Sequence, residues 1–377
     1  ILISEVCMNS AQNNVLSKDV MVRQLLLPLE KFLKTKGVTE IAINAPNEVW
    51  TESNKGWEKH SINLEMAQIT ALANVIATYT NQRIGQENPI LSAQLPDGER
   101  IQIVLPPAIE NGTVSMTIRI PDESNRSFQE YKDQGFFDHF RYGKSKEFEQ
   151  FKPVLRTEDI KLVQFLENKD LEGFFKFAVQ CKKNIAVVGD TGSGKTTFMK
   201  AICQYIPKDE RLVTIEDVRE LFVPHENKVH LLYSKGGQGK AKVTPSDLIA
   251  SNMRMKPDRV LLAELRGGEA FDFLKLLTTG HSGSITSYHA ESCSLAYDRY
   301  VFMCKEHEQA NIYDATTLKE LVALTIDIIV HVEVKKKYDD ESNLIGKERF
   351  ISEIKFDPVS KVKAQFGDAE IIVGDRA

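Results

Sequence analysis

Ile185-Ala186-Val187-Val188-Gly189-Asp190-Thr191-Gly192-Ser193-Gly194-Lys195-Thr196-Thr197 is an apolar β-type run that turns through three glycines into a lysine and two threonines. It fits G-x-x-x-x-G-K-[ST], and its flanks meet the structural context that motif requires: a buried strand before it and a helix, Phe198 to Tyr205, after it. Glycines there let backbone N–H groups converge on phosphate oxygens without a Cβ in the way. The following helix N-terminus adds partial positive charge at the same point. Gly189 to Thr197 are therefore candidate nucleotide-binding residues. Lys195 is expected to pair with the β- and γ-phosphates, and the Thr196 hydroxyl to ligate Mg²⁺.

Downstream, short β runs alternate with helix-length spacers: Arg211 to Ile215, Val260 to Ala263 and Ser284 to Ser287. That alternation predicts a parallel α/β sheet, with ligands at the C-terminal strand ends. Glu216 and Asp217 follow the first of these runs. Paired acids at such a place can position a metal ion or orient a water. Arg259-Val260-Leu261-Leu262-Ala263-Glu264 is an apolar strand ending in an acid, about 70 residues beyond the glycine loop. The order and spacing match a Walker-B strand, whose carboxylate serves Mg²⁺ through water or activates the attacking water. Two histidines then flank one strand, His281 before it and His289 after it. His281, in the Gly-rich loop, is the candidate for sensing the γ-phosphate or for hydrogen-bonding a neighbouring strand end.

The N-terminal half reads differently. Residues 1–18 are polar and Asn/Ser-rich, and are expected to form a mobile tail. Residues 19–120 hold a helical stretch from Leu25 to Leu33, strands at Val38 to Asn44 and Glu48 to Thr51, an amphipathic helix from Met66 to Tyr79 and three further strands up to Ile120. This is an α+β pattern. From 121 to 155 the apolar period breaks up, which predicts an interdomain linker with one short helix, Phe128 to Phe137. Residues 156–377 make up the second, α/β domain.

Composition narrows the classes. The chain has 377 residues with a net charge of −5, so no general electrostatic pull toward nucleic acid is expected. No run approaches the ~18 apolar residues of a membrane span, and Ile1 to Glu5 lacks the basic and apolar regions of a signal peptide. Five scattered cysteines form no C-x-x-C pair, which fits reduced thiols and speaks against a zinc ribbon. Lys335-Lys336-Lys337 is a short charge run of the kind that usually makes a solvated turn, with contact to anionic lipid as the sharper alternative.

Four boxes thus stand in order, GDTGSGKTT, TIEDVREL, RVLLAELRGGEA and TTGHSGSITSYHA. They resemble the Walker A, Asp, Walker B and His boxes of the hexameric ATPases of type II and type IV secretion and type IV pili. The N-terminal segments Val38-Thr-Glu-Ile, Asn44-Ala-Pro-Asn-Glu-Val-Trp50 and Pro89 to Pro107 are similar to the VirB-type traffic ATPases of type IV secretion. The resemblance covers roughly residues 20 to 357. It implies an N-terminal α+β domain joined to an α/β RecA-like P-loop domain, ATP and Mg²⁺ as ligands, and a homohexameric ring. It also implies a cytoplasmic protein, peripheral on the inner-membrane face beside other secretion ATPases and inner-membrane components. Glu216 and Glu264 would serve the magnesium and the water, with the choice of general base open between them. His281 belongs to the His box, and Arg100 and Arg119 reach toward the phosphates from the N-terminal domain; Arg254 and Arg266 are further candidates. The missing C-x-x-C pairs argue against the type II branch. A nucleic-acid translocase of the same RecA-like type, with at most weak or indirect nucleic-acid contact expected here, and a non-hydrolysing nucleotide switch are the rival readings.

Overall fold

The computed structural model describes residues 19–121, 125–233, 243–342 and 344–367; the expected tail at 1–18 lies outside them. Among the described residues, fourteen strands fall into two sheets.

The first sheet is wholly antiparallel and comprises β1 (Glu40–Ile43), β2 (Glu48–Ser53), β3 (Gly56–Ser61), β4 (Ile90–Gln94), β5 (Arg100–Val104) and β6 (Ser115–Arg119), in the order β3-β2-β1-β6-β5-β4. Helix α1 (Met66–Tyr79) covers one face. Its buried residues Ile69, Leu72, Ala73, Ile76 and Ala77 recur at helical spacing and share a core with Ile41, Ile43, Leu91 and Ile103. Residues directly opposite one another across a sheet share a face. The registers Glu52↔Glu40, Glu40↔Arg119 and Arg119↔Arg100 therefore set two acids and two arginines in one row across β2, β1, β6 and β5.

The second sheet runs β10-β9-β11-β12-β8-β13-β14-β7. Its members are β7 (Arg141–Tyr142), β8 (Ile185–Gly189), β9 (Leu212–Glu216), β10 (Lys228–Leu232), β11 (Arg259–Leu262), β12 (Ile285–Tyr288), β13 (Ile328–Tyr338) and β14 (Leu344–Phe356). From β10 to β13 every neighbouring pair is parallel. Strands buried on both faces read as continuous apolar runs, as β8 does. Ile185 and Val187 enter one core cluster, while Ala186 and Val188 enter the other.

The stretch 121–155, expected to be a linker, is largely docked on this second unit. Its helix α2 is shorter than expected, Phe128–Asp133, and is capped by Ser127 in a reciprocal box with Glu130. Phe128, Tyr131, Phe136 and Phe148 are buried in the same cluster as Phe198 of the helix after the glycine loop; the Phe128 and Phe136 rings lie 5.9 and 5.2 Å from that ring. Single turns have no 3.6-residue repeat, so this aromatic burial leaves no periodic trace in the sequence.

β13 and β14 form a long hairpin. β13 pairs with β8 only as far as Val332↔Gly189, so Glu333 to Tyr338 and the facing half of β14 project past the sheet edge as an arm. The lysine run lies in a strand of this arm and not in a turn. Lys337 pairs with Glu348 at 3.1 Å, and Lys335 sits 4.9 Å over the Phe350 ring.

The junction of β8 with β13 leaves no room for a side chain. A Cβ on Gly189 would lie 2.0 Å from the Val332 carbonyl oxygen, and the residue has φ +148°. Gly189→Ala is expected to lower stability by about 3 kcal/mol or more, measured by urea or thermal unfolding. An unchanged unfolding midpoint would show that this junction tolerates displacement.

Candidate active site at the edge of the parallel sheet

Because β8, β9, β11 and β12 are parallel, their C-terminal ends share one edge, and the residues following them converge there. After β8 the chain passes through Gly192 and Gly194, both left-handed at φ +75° and +95°, into helix α3 (Lys195–Cys203). Lys195 is 8% exposed. Its Nζ donates to the carbonyls of Gly189 at 2.9 Å and Asp190 at 2.8 Å, and approaches His289 Nδ1 at 3.5 Å. Burial lowers its pKa to about 8, against the opposing pull of Glu264 and Asp190, while the Arg119 charge lowers it further. The Ser193 hydroxyl is buried inside the loop with no hydrogen-bond partner among the described residues. A buried cation resting on carbonyls beside an unsatisfied hydroxyl is a cradle matched to a polyanion.

From Lys195 a continuous polar chain crosses the edge. Burial and the Lys195 charge lower the His289 pKa and favour the neutral ring. With Nδ1 facing the lysine donor, the ring proton is assigned to Nε2, which donates to Glu264 Oε1 at 3.1 Å. Glu264 Oε2 accepts from Arg266 Nε at 2.8 Å and from its Nη2 at 2.5 Å. Arg266 Nη1 donates to Asp217 Oδ2 at 2.8 Å. Burial opposes the charge on Arg266, but Asp217 and Glu264 outweigh it and raise its pKa. Asp217 in turn accepts from Arg100, which also pairs with Glu220 at 3.3 Å. Lys195, His289, Glu264, Arg266, Asp217 and Arg100 thus join the glycine loop to the polar row of the first sheet.

Two expected site residues stand elsewhere. Glu216 is 0% exposed. One carboxylate oxygen accepts the backbone N–H groups of Glu220 and Leu221, each at 2.7 Å, and the other accepts the Thr214 hydroxyl at 2.7 Å. It braces the turn after β9, and its neighbour Asp217 faces the chain instead. His281 precedes β12 and so lies at the opposite sheet edge, where Ser284 Oγ donates to its carbonyl and the Ser284 carbonyl accepts from Ile185 at the start of β8. This corrects the expectation that His281 meets the phosphates; His289, at the other end of the same strand, occupies that edge. Arg119 lies opposite Arg100 and 3.8 Å from Glu40. Arg254 is exposed on the surface. Asp217 and Arg266 could be found from their places just past strand ends. Arg349, whose Nε donates to the Gly192 carbonyl at 2.9 Å, had no local signal at all.

Residues 151–330 match the family model described as Type II/IV secretion system protein. The type IV secretion system protein VirB11 of Brucella suis is 43% identical over 340 residues, 89% of this chain and 90% of that protein. The chain belongs to the VirB11 family of type IV secretion ATPases. The crystal structure of the VirB11 ATPase from the Brucella suis system is 43% identical across 90% of this chain and 98% of its own, with a TM-score of 0.49. The ADP-bound pilus retraction motor PilT is 15% identical, covers 90% of this chain and 85% of its own, and shares the fold at a TM-score of 0.55. Membership in the VirB11 family makes the chain an ATPase, and its architecture is an N-terminal domain followed by a RecA-like α/β domain. No helix among the described residues is long and apolar enough to cross a membrane.

His289→Ala should cut ATP turnover by roughly a hundredfold, whereas His281→Ala should stay within about twofold, both measured by steady-state phosphate release. The reverse ranking would overturn the assignment of His289 to the site. A polyanion favours the charged lysine. The free protein loses that charge as pH rises through about 8, so nucleotide affinity should be present below that pH and decline above it. Between about pH 8 and about pH 9 the dissociation constant of a fluorescent ATP analogue should rise by up to tenfold. A flat profile there would remove Lys195 as the titrating group.

Proposed function

We propose that this chain is the hexameric motor of a type IV secretion system, hydrolysing ATP between the N-terminal sheet and the edge of the parallel sheet to drive assembly or substrate transport. The unbroken chain from Lys195 to Arg100 is the observation that carries this reading, because it ties the phosphate loop to the domain that would move. Gly189 to Thr197 bind the triphosphate, and Lys195 gives up its carbonyl contacts to meet the β- and γ-phosphates. The Thr196 hydroxyl and the Glu264 carboxylate are hard oxygen donors that suit Mg²⁺, which neutralises phosphate charge when bound. Glu264, oriented by His289 and Arg266, receives the proton of the attacking water. The Glu216 carboxylate is wholly buried and held by two backbone N–H groups and a hydroxyl, whereas Glu264 is partly exposed and held by side chains that can move, which favours Glu264 over Glu216 as the general base.

Arg100 and Arg119 act as arginine fingers, stabilising charge that develops on the transferred phosphoryl group. Arg100 must leave Asp217 and Glu220 to do so. A triphosphate draws it away and a diphosphate returns it, so the two nucleotide states favour different domain positions. The protein works at the cytoplasmic face of the inner membrane, held there by other secretion ATPases and inner-membrane components. Any nucleic-acid contact is weak or indirect.

Lys195→Ala should abolish turnover. Arg100→Ala should lower kcat by about tenfold to a thousandfold with folding intact, and normal turnover would remove the N-terminal domain from the site. Mass photometry with ATP and Mg²⁺ should reveal a species near six times 42.6 kDa, and a persistent monomer would contradict the ring. Stimulation of ATPase activity by DNA but not by membranes would favour a nucleic-acid translocase instead.

A further inference from the structure

The projecting β13–β14 arm touches both the glycine loop and the N-terminal sheet. Successive side chains of a strand alternate faces, so Lys347 and Arg349 of β14 share one face. Arg349 Nε donates to the Gly192 carbonyl at 2.9 Å, and its Cδ lies 3.4 Å from where a Cβ on Gly194 would stand. Lys347 Nζ pairs with Glu52 at 2.6 Å, both side chains being mostly buried. Glu52 opens the row that continues through Glu40 and Arg119 to Arg100. At the arm's end, Leu344 packs so closely on Gly56 that a Cβ there would meet it at 2.9 Å.

We propose that Arg349 is a positioning residue for the phosphate-binding loop, and that the Lys347–Glu52 pair makes its setting depend on where the N-terminal sheet sits. A trans peptide is planar, so its C=O and N–H point in opposite directions. Holding the Gly192 carbonyl outward against a guanidinium turns the Ser193 N–H into the loop, where it donates to the Asp190 carbonyl at 3.3 Å and would exchange that partner for a phosphate oxygen. A charged donor on that carbonyl also polarises the same peptide, which makes its N–H a better donor to phosphate. Displacing the N-terminal sheet pulls Glu52, and with it Lys347 and the strand that carries Arg349. The arm thus forms a second connection between the domains, on the other side of the loop from the Lys195–Arg100 chain. The proposal rests on the glycine loop being the nucleotide site.

The full-length chain is titrated with a fluorescent ATP analogue and assayed for steady-state hydrolysis. Arg349→Ala should raise the dissociation constant about fivefold, with KM rising more than kcat falls, and Arg349→Lys should recover part of that loss. Lys347→Glu and Glu52→Lys should each weaken binding about threefold or more, and the double charge reversal should return affinity to within about twofold of the parent. Restoration by the double variant is an effect that mere damage to the fold would not produce. An unchanged dissociation constant in Arg349→Ala would overturn the proposal, as would a double variant no better than the single ones. A parent protein that fails to bind the analogue would instead refute the nucleotide reading of the loop.

Discussion

Glu264 accepts His289 on one carboxylate oxygen and Arg266 on the other, and this double acceptance holds the two sides of the site together. Take the carboxylate away and the His289 N–H, the Arg266 guanidinium and, one step on, the Lys195 ammonium lose their shared anion in a partly buried setting. Leaving such donors unpaired costs more than making the pair gains, because desolvation has already occurred. The carboxylate stands where it does for a backbone reason. β11 lies between β9 and β12 in a parallel ladder, so the residue two places past its end is carried to the edge where the glycine loop turns.

The same edge explains why the site spans two domains. The N-terminal sheet offers a row of two acids followed by two arginines, fixed by strand register, and each end of that row meets the second domain at a different point. Arg100 meets Asp217 and Glu220, while Glu52 meets Lys347 of the arm. These charged groups are mostly buried, so the attraction within each pair is largely offset by desolvation and its net contribution is modest. Modest net strength suits the exchange of partners that the proposed nucleotide cycle requires.

Some of the site was legible because the relevant chemistry is local. Three glycines, a lysine and a threonine within nine positions define the loop whatever surrounds it, and apolar runs ending in acids mark strand ends. The histidine assignment failed on direction. His281 and His289 flank the same strand, and only the one following it can reach an edge built from C-terminal strand ends, a rule the predicted parallel sheet already contained. Glu216 and Asp217 differ for a related reason. Adjacent residues leaving a strand point in opposite directions, and the choice between brace and site depends on the turn that Glu220 and Leu221 make.

The linker shows a different limit. Phe128, Tyr131, Phe136 and Phe148 are apolar in any reading, but their burial in the cluster that holds Phe198 involves turns too short to show a period. By itself, the sequence determined the α+β and α/β succession, the glycine loop between strand and helix, the order of the boxes and the family, because each depends on residues close together in the chain. Only the tertiary structure decided that His289 stands beside Lys195, that Asp217 and Arg266 link Glu264 to Arg100, and that Arg349 reaches Gly192. Those pairings depend on strand order and hairpin register, which are set by packing across separations of tens to hundreds of residues and leave no local pattern to read.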